Sequence, residues 1–254
     1  MWGLIAERDR RYAGTVTADY VAARESCTAL AANAAPVIAA TCMAPLTALA
    51  GDVDGAYRTL AATIDSRTPA SLRAWGVTTL AELAIQRGDD ALAQTHLRAV
   101  LANDPGDAYA LAALADITPD PAAASALLAG YEQIDNLLVR RAIAEHRAHG
   151  PDAAALVTDM RERIRAAATR GDSIHQREEA MFALAVELDG PRAVRLARAN
   201  WDVQKELTDA RLLVEAAVFA RDPAAAAPVL DWARRTGVRD ARLERAFSRL
   251  GGAS

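Results

Sequence analysis

The chain is nearly devoid of lysine. Of its 29 basic residues only Lys205 is a lysine; the other 28 are arginines. Aromatic residues make up 5%, and β-branched residues never alternate with polar ones for long. A strand-dominated fold is therefore disfavoured. No run of 18 apolar residues occurs, so no membrane-spanning helix is expected. Glycines are mostly single, which leaves no phosphate-cradling Gly-rich loop. A Gly-x-Ser-x-Gly nucleophile elbow is missing too. Nor is positive charge in excess: 29 bases face 33 acids, a net charge of -4. Nucleic-acid binding needs clustered positive charge, so no nucleic-acid partner is expected.

Alanine fills about a quarter of the 254 positions, and hydrophobic residues make up 52%. That is enough apolar surface for a core and argues against disorder. Ala has the best helix propensity, and Leu, Arg, Glu and Gln follow. Apolar residues recur at three and four, as at Leu80, Leu83 and Ala84. Turn signals punctuate the chain at Gly51-Asp52, Gly88-Asp89, Asp104-Pro105-Gly106, Pro119-Asp120-Pro121, Gly150-Pro151, Gly171-Asp172, Gly190-Pro191 and Asp222-Pro223. Gly closes a helix in the left-handed conformation, Asp caps the next, and Pro fits its first turn. The expectation is an all-α chain of roughly thirteen to fifteen helices with short connections, which force antiparallel neighbours.

The best repeated unit spans 74–105. Its marks are Leu80 and Ala81 in a first helix, Gly88-Asp89 at the turn, Ala93 and Leu97 in a second helix, and Asp104-Pro105 at the exit. Ala81 and Ala93 suit a close helix crossing, with Leu80 and Leu97 beside it. This unit resembles the tetratricopeptide repeat (TPR), a helix–turn–helix of about 34 residues. Val77 and Ala84 depart from the bulky aromatics usual there. Fainter copies follow Gly51-Asp52, Pro105, Gly190-Pro191 and Asp222-Pro223. The segment 171–184, with Leu196–Trp201 and Asp209–Leu213, is similar to a group of bacterial TPR proteins of undefined function. The resemblance implies one elongated domain over 1–254, a right-handed superhelical solenoid of about six degenerate helix pairs. Its middle, 119–170, is the most degenerate, and its C-terminal repeats fill 171–250. Members of that group are longer at the N-terminus and carry an export leader. Residues 1–11 here are charged where a secretory signal has its apolar stretch. A cytoplasmic protein is the expectation from the chain as it stands, and an exported one if a longer N-terminus is missing.

In such a solenoid the first helix of each unit lines the concave side. The resemblance places Trp75, Thr78 and Glu82 there in the best unit, then Tyr109 and Asp116. Later units contribute Arg140 and Arg141, His175 and Glu178, and Arg211 and Glu215. Aromatics, acids and arginines together suit a peptide or partner helix. The expected function is non-catalytic protein–protein interaction through this groove, with no cofactor. Three alternatives stand beside it. Trp75 and Tyr109 could instead pack against adjacent repeats. His175, Glu178 and Arg211 could serve a small ligand or an enzyme accessory role. An uncapped N-terminal end could pair with a second copy. The chaperone-tail subtype of the family clamps a C-terminal carboxylate with a specific set of Lys, Asn and Arg residues; with a single Lys in the chain that set is absent, so that ligand is not expected.

His175, Glu178 and Glu179 fall at i, i+3 and i+4, a spacing a metal could use. A divalent site wants three or four converging ligands, so no metal is expected. Arg177 or His175 is expected to contact an adjacent unit. His96, His146 and His149 read as surface or satisfied residues. Residues 161–170 read as a solvated basic face. Fourteen residues separate Cys27 from Cys42. They form a disulfide if their Cα atoms come within about 7 Å; in a reducing cytosol both would be small buried hydrophobes. The likeness to exported proteins adds weight to the disulfide without deciding between the two states, which a free-thiol titration distinguishes.

Overall fold

The computed structural model describes residues 19–171 and 176–251. His175 and residues 1–11 lie outside the described residues. Within them the chain is all-helical, with 14 α-helices and no strand. The helices are α1 (Tyr20–Asn33), α2 (Pro36–Leu49), α3 (Val53–Ala61), α4 (Ala70–Arg87), α5 (Asp90–Leu101), α6 (Ala108–Asp116) and α7 (Pro121–Leu128). The second half holds α8 (Asp135–Ala148), α9 (Ala153–Thr169), α10 (Gln176–Phe182), α11 (Gly190–Val203), α12 (Leu207–Ala220), α13 (Ala227–Thr236) and α14 (Ala241–Gly251). A π turn, Ala183–Glu187, follows α10, and a 3-10 turn, Pro223–Ala226, precedes α13.

Aspartate starts most of these helices. Asp19, Asp52, Asp89, Asp107, Asp120 and Asp189 each accept a hydrogen bond from a first-turn N–H of the following helix. Each such cap contributes about 1 kcal/mol. Gly51 and Gly88 close the preceding helices with positive φ, as expected. The Gly190-Pro191 signal reads differently. Leu188 takes the left-handed closing position at φ 54, Asp189 caps, and Gly190 opens α11. Gly190 is needed for space: a Cβ there would lie 3.0 Å from the Cα of Ala220. His149 and Arg221 are also left-handed closers, so Leu188 and His149 do what Gly190 and Gly150 were expected to do. At Asp104-Pro105-Gly106 the cap is Asp107, not Asp104.

Consecutive helices pack on one another along the chain, α4 on α5 and α11 on α12 most extensively. The core is accordingly a string of local clusters. Ala81, Ala93 and Leu97 are buried together at the α4–α5 crossing, where small side chains let the helices approach. Cys27 and Cys42 form a disulfide between α1 and α2, with Cα atoms 5.4 Å apart. Ala23, Leu30 and Leu46 surround it. His96 is satisfied by the Tyr57 hydroxyl at 2.8 Å.

The chain does not run on as an open-ended rod. Helix α14 returns to α4. Gln86 of α4, itself buried, donates to the carbonyl of Arg239 at 2.8 Å. Arg242 of α14 binds both oxygens of Asp90 at 3.0 Å and the carbonyl of Asp116 at 3.3 Å. The Trp232 indole donates to the Tyr20 hydroxyl at 2.8 Å. Tyr20 and Leu49 pack on the C-terminal cluster. Tyr20 of α1 and Leu49 of α2 are therefore in contact with the end of the same chain.

Candidate functional site

Helix α12 opens on Glu206-Leu-Thr-Asp209, a capping box in which the two acidic side chains and the two backbone N–H groups satisfy each other. The box draws Asp209 into the interior, where it is 1% exposed. A lone buried carboxylate would be costly. Arg177, at the start of α10, answers it with bonds of 2.6 and 2.9 Å. The same guanidinium reaches Glu206 at 2.7 Å and the side-chain amide oxygen Oε1 of Gln204 at 3.3 Å. Asn200 adds a bond of 2.6 Å to Asp209. Burial works against the charge on Arg177, but bonds to Asp209 and the charges of Asp209 and Glu206 outweigh it and raise its pKa. Arg177 thus does contact the adjacent hairpin.

Arg211, 34 residues further on, repeats the device. It grips Asp240 through two nitrogens, one at 3.0 Å. Asp240 is also buried and accepts from the N–H groups of Arg242 and Leu243 at the start of α14. Arg140 makes the third fork, onto Asp116 at 2.9 and 2.8 Å. Arg211 and Arg140 are therefore held by their own chain.

The remaining residues fall in different places. The Tyr109 hydroxyl donates to Glu82. The Glu82 charge, burial of the hydroxyl and the Glu206 charge together raise its pKa well above the ordinary value, while Arg177 opposes them. Tyr109 thus stays a donor, and the residue as a whole is 55% exposed. Trp75 is half-buried against the Cys27–Cys42 cluster. The Thr78 hydroxyl bonds back to the carbonyl of Ala74. Arg141 turns to Glu132 and Asp152, away from Arg140's partner. Glu215 lies 3.8 Å from Arg249. The basic stretch 161–170 contains Arg163, which is paired with Asp135 and Asp159.

One hollow gathers several of these groups. A cleft of about 430 Å³ is lined by Gln133, Asp135, Asn136, Arg177, Glu178 and Gln204. Among the described residues, Glu178 is the only one of the expected groove residues that lines it. Its three carboxamides were not anticipated. Two features of the sequence, neither of them singled out above, could have found it: the Arg177/Arg211 spacing and the Glu-x-x-Asp box at 206–209. Among the described residues, no three His, Cys, Asp or Glu side chains converge to hold a metal ion, and no helix is long and apolar enough to cross a membrane. Comparison with known proteins finds no matching family model, no matching curated protein and no matching solved structure.

Proposed function

We propose that this chain is a non-catalytic interaction module, a TPR-like right-handed solenoid that holds an extended polypeptide segment against its inner wall. Serial packing of helical hairpins supports the architecture, as does a recurring interval of 34 residues. That interval relates Trp75 to Tyr109, Glu82 to Asp116 and Arg177 to Arg211. The observation that carries the function is the cleft with Gln133, Asn136 and Gln204 on its walls. A carboxamide both donates and accepts, as a peptide group does. The Gln204 oxygen is taken by Arg177, which orients its amide nitrogen for another acceptor. Tyr109, coupled by charge to Arg177 and Glu206, supplies an exposed aromatic anchor close by. Trp75 is not part of this reading, because it packs on the first hairpin.

The test is selection of peptides from a displayed random library on the immobilised protein. Selected peptides should bind Tyr109→Ala and Gln204→Ala about tenfold more weakly, the loss of a central contact. Helix content should stay unchanged by circular dichroism. Peptides that bind both variants as well as the parent, or no selection at all, would overturn the reading. The small-ligand alternative keeps one support, since the cleft lies within the roughly 300–1,000 Å³ range of ligand sites. Arg211 drops out of that alternative because it is engaged on Asp240.

A further inference from the structure

We infer that a second hollow, between the C-terminal end of α11 and the length of α13, binds a small carboxylate carrying an apolar body. It measures about 580 Å³, a volume suited to a small organic ligand. The proposal does not rest on the inner-wall reading, because none of these residues belongs to that cleft.

The floor is apolar. The buried rings of Trp201 and Trp232 meet edge-to-face with centroids 5.2 Å apart. Ala227 and Pro228 complete that side. The rim is charged, and its charges do not balance. Asp202 lies 3.6 Å from Arg198, and Asp231 is bonded to Arg234. Each acid of the rim thus already has an arginine partner. Lys205 and Arg235 also line the hollow, and neither pairs with a carboxylate among the described residues. Lys205 spends one donor on the Asp202 carbonyl at 3.0 Å and sits 6.0 Å from the centroid of the Trp201 ring. An ammonium has three donors, so two remain. Arg235 has no hydrogen bond to the protein among the described residues, and all five of its donors remain.

Two cations with unused donors above an aromatic floor match one ligand chemistry. A carboxylate takes charge-assisted bonds from both, while its body lies on Ala227, Pro228 and the narrow ring edges that the two buried tryptophans leave exposed. A dianion without an apolar part gains nothing from that floor, and it is opposed by the nearby Asp202 and Asp231. An uncharged apolar molecule leaves the cations unused.

Sodium octanoate is the probe, titrated by calorimetry and by tryptophan fluorescence. Two of the four tryptophans stand in the floor, so saturation should change their emission. Octanol and inorganic phosphate should each bind at least about tenfold more weakly, a difference of roughly 1.4 kcal/mol. The double variant Lys205→Gln/Arg235→Gln alters only surface cations and should keep the helix content. It should lose octanoate affinity by about tenfold or more. Tyr109→Ala should bind octanoate like the parent, which separates this site from the inner cleft. The inference is overturned if octanoate does not saturate, if octanol matches it, or if the double variant binds unchanged. The cations would then serve only the helix ends.

Discussion

Leu188 shows how a single backbone position can hide from a composition-based reading. It is 62% exposed and left-handed, two properties that leucine does not favour. The left-handed conformation costs a residue with a Cβ about 1–2 kcal/mol. Glycine avoids that cost but loses about 0.5–1 kcal/mol through the greater freedom of the unfolded chain. The balance favours glycine. Leu188→Gly should therefore raise unfolding stability by about 0.5–1 kcal/mol, read as a higher urea midpoint with unchanged slope. A lower midpoint would mean that the leucine side chain contributes more than its exposure suggests. The same reasoning explains why the turn after α10 was misread. Glycine at 190 drew attention to itself, yet its task is to let α11 approach Ala220. The actual closing residue carries no compositional mark. Asp209 is the opposite case: its capping box can be seen in four residues, but its burial depends on Arg177, 32 residues away.

At the level of elements, the helices and their starts were largely legible. Aspartate caps are local, since the side chain and the N–H groups it satisfies lie within three residues. The small-residue crossing of α4 and α5 was legible for a similar reason, because both helices belong to one hairpin. The Cys27–Cys42 bond needed more than spacing, since it depends on which faces of α1 and α2 meet. It closes a short loop, with the cysteines 15 residues apart. Closing a loop of that size restrains the unfolded chain by about 3 kcal/mol. Reduction, or the pair Cys27→Ala/Cys42→Ala, should lower stability by roughly 2–4 kcal/mol. The loss should be read by urea unfolding with and without reductant. Trp75 packs on the same cluster, so its emission should shift if the first hairpin loosens before the rest. Equal midpoints in both conditions would show that the hairpin needs no staple.

At the scale of the whole molecule, what was not legible is the return of α14 to α4. Twenty-eight arginines carry the same side chain, and nothing local distinguishes Arg242, which reaches Asp90 across 152 residues, from Arg234, which bonds three residues back. Only the accumulated geometry of every hairpin between them decides where α14 arrives. That return changes how the molecule should unfold. In an open stack each unit leans only on its neighbours, so the two ends open independently. Here Gln86, Asp90 and Tyr20 tie the first helices to the last through Arg239, Arg242 and Trp232. Charge reversal at the Arg242–Asp90 pair tests the tie. Arg242→Asp or Asp90→Arg alone sets like charges together and should lower stability by about 1 kcal/mol or somewhat more, the scale of a partly exposed pair. Each should also speed amide hydrogen exchange in both α4 and α14, since opening one releases the other. The double reversal restores opposite charges and should recover most of the loss, leaving a coupling energy that a double-mutant cycle reads directly. If the single reversals accelerated exchange in α14 alone, or if the double reversal recovered nothing, the ends would be neighbours without being coupled, and the chain would behave as an open stack.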